Sequence, residues 1–166
     1  MPSTPRGATD SVSPEEKLVA LGLSLPLLPP APVGTFANCV RIGTLLFVSG
    51  QGPVTSDGRL MTGKVGAEVS AAEAYEHARL AGLNLLAVTR EQLGSLKGVR
   101  RVVKLLGMVN ATPGFGAHPQ VINGCSDLFS AVFGAEGVHA RSSVGMGSLP
   151  NNITVEIEAI FEVDAA

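Results

Sequence analysis

The sequence predicts an α+β domain in which two helices pack on one face of a single mixed β-sheet, in the order β-β-(β)-α-β-α-β-β. Two long stretches carry apolar or small residues every three or four positions, which is typical of half-buried helices. Apolar runs of strand length lie around and between them, and the last run alternates between apolar residues and glutamates. Helices and strands interleaved in this way favour one helical layer on one sheet.

The N-terminal part of the chain is predicted to lie outside this sheet. Residues 1–12 predict a disordered lead, and the alternative for the polar opening MPSTPRGATD is a weak targeting segment. Ser13-Pro14-Glu15-Glu16 combines an N-cap, a proline at the first helical position and a capping-box glutamate, which predicts a short helix from about 14 to 21. Prolines make residues 26–34 an extended arm. We therefore expect a lead at 1–12, a helix and arm at 13–34, and a domain at 35–166.

The first half of the domain contains a hairpin and a long helix. Residues 37–41 and 45–49 flank Ile42-Gly43-Thr44, which predicts two antiparallel strands. Residues 63–65 suggest a short third strand. Ser70-Ala71-Ala72-Glu73 is a second capping box, and it opens a helix predicted to end near Leu93.

The second half repeats strand and helix before it closes with two strands. Residues 99–109 form an apolar strand pattern, and residues 118–133 place their apolar side chains on one helical stripe. Residues 139–147 and 154–163 predict the closing strands, and we interpret the stretch 140–159 as a β-hairpin.

Composition excludes several classes of protein. With 166 residues and 45% hydrophobic residues, the chain can bury one substantial core. The net charge of -2 gives no sign of a nucleic-acid or membrane-surface binder. One short basic cluster precedes and enters a predicted strand: Lys97, Arg100, Arg101 and Lys104.

The cysteines and the uncharged N-terminal stretch indicate a cytoplasmic protein without a metal. Cys39 and Cys125 form no CxxC motif and have no histidine at ligand spacing, so they predict free thiols in a reducing compartment. Residues 18–37 carry no charge, but four prolines interrupt them, so we expect no membrane span.

One face of the predicted sheet has no cover within the chain. Both helices lie on the other face, and small residues at Ser143, Gly145 and Gly147 allow another backbone to approach closely. A second copy of the chain is the simplest cover, and a closed oligomer would create clefts between protomers.

Four motifs follow one another along the chain: GTLLFVSGQGP at 43–53, Arg141-Ser142-Ser143, Leu149-Pro150 and VEIEAI at 155–160. In this order they resemble the YjgF/RidA family of reactive-intermediate deaminases. The similarity extends from about Pro32 to Val163, and the spacing of 15 residues from Arg141 to Glu156 matches the family's arginine and glutamate. The added N-terminal helix and arm resemble a longer-chained branch labelled putative endoribonuclease or chorismate-mutase-like.

This resemblance implies a fold, an assembly and an activity. The fold is chorismate-mutase-like, and the assembly is a homotrimer with three clefts at the subunit interfaces. The activity is hydrolysis of 2-imino or 2-enamino acids, such as 2-aminoacrylate, to 2-keto acids and ammonia without a cofactor. The residues expected at the cleft are the catalytic Arg141 and Glu156 and the substrate-binding Phe36, Ser49, Gly50, Phe115 and Ser143.

The chemistry of these side chains fits such a reaction. A guanidinium pairs with both oxygens of a carboxylate, so Arg141 would position the acid group of the substrate. Glu156 would hold or deprotonate the attacking water. An alternative is a structural ion pair between Arg141 and Glu156 or Glu158 on neighbouring strands. Another is that Glu156 simply faces solvent.

Other cleft residues depart from the family or carry a structural alternative. Phe36 stands where family deaminases commonly carry a tyrosine, so it supplies a wall without a donor. Ser143 stands where a cysteine is frequent, and only its backbone is expected to matter. The connection at 110–118 is longer than usual in the family. It is expected to border the cleft, with Phe115 packing either over the ligand or against the core.

Two further classes of function stay open. A non-catalytic trimer would use Arg141 to bind small carboxylates as a regulator or partner. An endoribonuclease is implied by the label of the longer branch, but the sequence has no histidine pair and no basic groove interleaved with aromatic residues. The expected partners are therefore a small carboxylate or imino acid and further copies of this chain.

Overall fold

A computed structural model of the chain describes residues 12–165, so the lead predicted at 1–12 lies outside the described residues apart from Val12. Within this range three α-helices and five strands follow one another along the chain. They are α1 (Pro14–Ala20), β1 (Cys39–Ile42), β2 (Leu45–Gln51), α2 (Ala71–Leu93), β3 (Val99–Asn110), α3 (His118–Phe133), β4 (Ala140–Met146) and β5 (Val155–Val163). No helix in the described part of the chain is both long and apolar enough to cross a bilayer.

The strands form one mixed sheet in the order β1-β2-β5-β3-β4. β3 and β4 run parallel, whereas the other neighbouring strands are antiparallel. α2 and α3 pack on each other and on one face of this sheet. The predicted α+β class with two helices on one face is confirmed.

Local capping signals place the helices as predicted. The Ser13 side chain accepts a hydrogen bond from the backbone N–H of Glu16, whose carboxylate accepts in return from the backbone N–H of Ser13. Ser70 and Glu73 form the same reciprocal pair at the start of α2. Each box satisfies backbone donors that the first turn of a helix leaves unpaired.

The small-residue face of α2 lets the two core helices approach closely. Ala74, Ala78 and Ala81 are fully buried. On α3, a Cβ added to Gly124 would overlap the carbonyl oxygen of Tyr75 on α2. This contact fixes α3 above the sheet and so determines what its first turns present to β4.

Two strand predictions are wrong. The stretch 140–159 is not a hairpin, because β3 lies between β4 and β5 and pairs with both. Residues 63–65 do not form a strand: Val65 makes only isolated bridges, with Val69 and Ala111.

The face of the sheet opposite the helices is partly open and carries an apolar patch. β1 and β2 place large apolar side chains there, and β4 adds Val144, which pairs with Met108 of β3. The exposed members of this open face are Val40, Ile42, Leu45, Phe47 and Val144. Those on β1 and β2 are neighbours and form an apolar patch, whereas β5, which lies between this patch and β4, carries Glu156, Glu158 and Glu162 on the same face. An exposed apolar patch is typical of a surface that another protein covers.

Candidate functional site

Arg141 lies on the edge strand β4 and points toward the helices. It pairs with Leu105 of β3, whose side chain is fully buried in the core on that face. Its Nη1 donates to Ser126 Oγ at 2.9 Å, and its Nη2 donates to the carbonyl oxygen of Pro119 at 3.1 Å. Both acceptors belong to α3, so the helix holds the guanidinium at the edge of the sheet.

The guanidinium of Arg141 has no acidic partner among residues 12–165. The salt bridges in this range involve other basic side chains, so the alternative of an ion pair with Glu156 or Glu158 is wrong. A guanidinium carries five N–H donors, and two of Arg141's are used. The remaining donors are sufficient to pair with both oxygens of a carboxylate.

Ser143 and Phe115 lie on the same side of the sheet as Arg141. Ser143 pairs with Gly107, above which Ile122 of α3 packs, so its side chain is directed toward that helix. Its Oγ is buried and has no hydrogen-bond partner within the described chain. Phe115 packs partly against the core and contacts the ring of His118 edge-on, with centroids 5.4 Å apart.

A cleft of about 460 Å³ opens beside Phe115, at the far end of β4. Its lining includes Lys64, His118 and Gly147. The Lys64 ammonium donates to Asn110 Oδ1 at 2.7 Å and to the carbonyl oxygen of Gly147 at 2.6 Å. Phe115 therefore both anchors its loop and borders a cleft.

Glu156 lies on the opposite, open face. Its neighbours Val155 and Ile157 are fully buried toward the helices, so the alternating strand turns Glu156 away from them. The carboxylate is about half buried, and this burial raises its pKa, with a further rise from the nearby Glu158. A carboxylate with a raised pKa is a stronger base than an ordinary glutamate.

A β-bulge brings Gly50 against Glu156. Val48 pairs with Ala159 and Gln51 pairs with Ile157, so two residues of β2, Ser49 and Gly50, oppose one residue of β5. A Cβ added at Gly50 would overlap Oε1 of Glu156 and lie 3.0 Å from both Cγ and Cδ. Glycine at this position therefore leaves the room that the carboxylate occupies.

Ser49 and Phe36 lie near the same bulge. Ser49 Oγ donates to the carbonyl oxygen of Ala37 at 2.7 Å, and its backbone N–H donates to that of Asn38 at 2.8 Å. These bonds tie the segment that carries Phe36 to the end of β2. The Phe36 ring is 48% exposed, so it is available to form a wall for a ligand.

Arg141 and Ser143 thus lie on one face of the sheet, and Glu156 and Gly50 meet on the other. Arg141 pairs with Leu105 of β3, whereas Glu156 pairs with Met108 of the same strand. Leu105 and Met108 are three residues apart, which is roughly 10 Å along the strand. Arg141 and Glu156 of one folded chain therefore do not face a common space.

Two residues next to Arg141 were not predicted from the sequence: Ser126, which contacts Arg141, and His139, which contacts Ser126. Ser126 accepts from Arg141 and lies 2.9 Å from Nε2 of His139. The two lie 15 and 2 residues away from Arg141 in the sequence, and no spacing rule links a serine in a helix to an arginine in a strand. Only the packing of α3 over β4 brings the three together.

Comparison with known proteins gives the family. Residues 15–161 match the family described as "YjgF/chorismate_mutase-like, putative endoribonuclease". The chain is a member of the YjgF family. A crystal structure described as a putative endoribonuclease from Shewanella oneidensis has a TM-score of 0.87 and 32% identity, and the match covers 91% of this chain and 99% of that one.

Two relatives match most of the chain. Protein TCP17 of Trypanosoma cruzi is 40% identical over 148 residues, which are 89% of this chain and 92% of that protein. A Dermatophagoides farinae protein named 2-iminobutanoate/2-iminopropanoate deaminase is 27% identical over 143 residues, which are 86% of this chain and 95% of that protein. The predicted family resemblance is confirmed.

Proposed function

We propose that this YjgF protein hydrolyses 2-imino or 2-enamino acids to 2-keto acids and ammonia in clefts between the subunits of a homotrimer. The observation that carries the proposal is an arginine at a sheet edge with no acidic partner in the described chain, combined with a half-buried glutamate on the opposite face. The deaminase name of the Dermatophagoides farinae relative supports the same reaction.

Assembly provides a way to complete the site. Arg141 is on the edge strand at one side of the sheet, and Glu156 lies on β5 beside the bulge of β2. When open faces pack against each other around a threefold axis, the β4 edge of one chain is expected to meet the β2 end of its neighbour. The apolar patch on the open face gives a driving force for this packing because burial removes that patch from water.

In such a cleft the chemistry needs only positioning and proton transfer. Arg141 pairs with the substrate carboxylate and so fixes the imine carbon in place. An enamino acid first takes a proton at C3 and loses one from nitrogen, which gives the imine. Glu156 accepts a proton as water adds to the imine carbon and passes it to the nitrogen, which gives a carbinolamine. The carbinolamine hydroxyl then gives its proton, through Glu156, to the nitrogen as the C–N bond breaks, so that ammonia leaves and the carbonyl group of the 2-keto acid forms. One water is consumed and no oxidation occurs.

The test is the loss of an imine generated in the assay from an amino acid by an oxidase, with ammonia measured as product. We expect Arg141→Ala to raise KM strongly and Glu156→Gln to lower kcat by at least about 100-fold. Glu158→Gln is the matched control because it makes the same change two residues along the same face, and it is expected to stay within about threefold of wild type. Equal rates in wild type and Arg141→Ala would refute the deaminase proposal.

A second candidate is a non-catalytic trimer that binds small carboxylates through Arg141. Phe36 favours it, because a phenylalanine gives the pocket no hydroxyl donor. Under this alternative, wild type binds 2-oxobutanoate in an Arg141-dependent way but does not accelerate imine loss. An endoribonuclease finds less support, because Arg100 and Arg101 of the basic cluster are paired with Asp164 and Glu136.

A further inference from the structure

Three side chains form a directed hydrogen-bond chain that ends on Arg141. Arg141 Nη1 lies 2.9 Å from Ser126 Oγ, and Ser126 Oγ lies 2.9 Å from Nε2 of His139. On its other side, His139 Nδ1 lies 2.6 Å from the carbonyl oxygen of Gly137. The chain therefore runs from a backbone carbonyl through an imidazole and a hydroxyl to the guanidinium.

The direction of each bond follows from the groups at the two ends. A carbonyl oxygen only accepts, so Nδ1 of His139 must carry the proton that is donated to Gly137. In the neutral imidazole Nε2 is then an acceptor, and the Ser126 hydroxyl donates to it. The lone pairs of that oxygen are thereby turned toward Arg141, whose guanidinium is always a donor.

The surroundings of His139 keep this arrangement in place. The imidazole is partly buried and packs against the Phe129 ring, with centroids 6.3 Å apart. Burial and the positive charge of Arg141 both lower the pKa of His139, although the hydrogen bond to Gly137 acts in the opposite direction. The neutral form that the chain requires is therefore favoured at neutral pH.

We propose that Ser126 and His139 are positioning residues that hold the guanidinium of Arg141 ready to bind the substrate carboxylate. This inference rests on the function proposed above for Arg141. Binding a ligand restricts rotation about several bonds of a free arginine side chain, which costs conformational entropy. Because α3 already holds the Arg141 guanidinium, most of this cost is met before the ligand binds. The expected effect is on affinity for the carboxylate and not on the chemical step.

The test compares Ser126→Ala with Ser126→Thr, which keeps a hydroxyl, and with Ser130→Ala, which makes the same change one turn along α3. Binding of 2-oxobutanoate is measured by calorimetry, and KM and kcat are measured for the imine. We expect Ser126→Ala to weaken binding and raise KM by about fivefold, the usual effect of one lost hydrogen bond, with kcat within about twofold of wild type. Ser126→Thr and Ser130→Ala should bind within about twofold of wild type.

A parallel pair tests the histidine. Glutamine at 139 still offers a side-chain oxygen to the Ser126 hydroxyl, whereas phenylalanine offers none. His139→Phe is therefore expected to weaken binding of 2-oxobutanoate as much as Ser126→Ala does, and His139→Gln less. Thermal melting of each variant checks that the fold is intact.

The outcomes separate this inference from the proposed reaction. If Ser126→Ala and Ser130→Ala bind 2-oxobutanoate equally well, the positioning role is refuted. A fall in kcat with unchanged affinity would also refute it. If wild type binds the keto acid but does not turn over the imine, the deaminase proposal fails, and the binding series still decides whether Ser126 and His139 position Arg141.

Discussion

Substitution of Gly50 by alanine is expected to disable Glu156 without unfolding the protein. The φ angle of Gly50 is not in the positive range, so the backbone itself tolerates a side chain. The new Cβ, however, would overlap Oε1 of Glu156 and lie 3.0 Å from its Cγ and Cδ. Because Oε1 is the end of a flexible side chain, the carboxylate can swing aside while β2 and β5 keep their pairing.

The size of the effect follows from the displacement. To reach an ordinary contact distance the carboxylate has to move by about 1 Å, and a misplacement of that size can lower a rate by about 100-fold. We therefore expect kcat of imine hydrolysis to fall between about 10-fold and 100-fold. The free energy of unfolding should fall by only about 1 kcal/mol, at the lower end for an overpacked site.

The assay pairs initial rates of imine loss with denaturant unfolding. Gly98→Ala is the matched control, since a Cβ there meets the Leu93 side chain at 3.5 Å, an ordinary contact. In a Glu156→Ala background the stability cost of Gly50→Ala should disappear, because the overlapping atoms are gone. Wild-type kcat in Gly50→Ala, or a stability cost that persists in that background, would refute the reasoning.

Three other predictions follow from the same geometry. Equal amounts of Arg141→Ala and Glu156→Gln chains, dissociated and reassembled together, should regain about one quarter of wild-type activity. The reason is that about one quarter of the interfaces then join an intact Arg141 to an intact Glu156. If the site lay within one chain, no activity would return. Burial lowers the pKa values of His77 and His139, so the unfolded chain binds more protons and the free energy of unfolding should fall as pH drops below about 6.5. In denaturant unfolding, the double variant with His77→Gln and His139→Gln should show little of this pH-dependent loss of stability. Phe47→Glu on the open face should yield monomers in sedimentation with unchanged helix content, and a trimer of wild-type mass would contradict the proposed cover.

The helices could be predicted from sequence because their signals are local. Ser13 with Glu16 and Ser70 with Glu73 are three residues apart, and each pair satisfies the backbone of its own first turn. Neither pair depends on which strand lies nearby. The first residues of α1 and α2 could be predicted for that reason.

Strand pairing could not be predicted in the same way. A hairpin at 140–159 satisfies every local pattern, yet β4 pairs in parallel with β3, and β3 separates it from β5. The alternation around Glu156 correctly indicated that its side chain turns away from the core. What sequence did not show is that Arg141 turns the other way, because a row of small residues on β4 gives no apolar pattern to mark its faces.

Under the proposed function, the separation of Arg141 from Glu156 makes assembly a requirement of the reaction. Each chain can fold around its own core with α2 and α3 on the sheet, but the proposed acid–base group and the proposed carboxylate anchor then lie on opposite faces. In the proposed trimer, the contacts that would bury the apolar patch on the open face are also the ones that would bring the two groups together. A substitution that weakens these contacts should therefore lower activity at dilute concentration even though neither Arg141 nor Glu156 is changed.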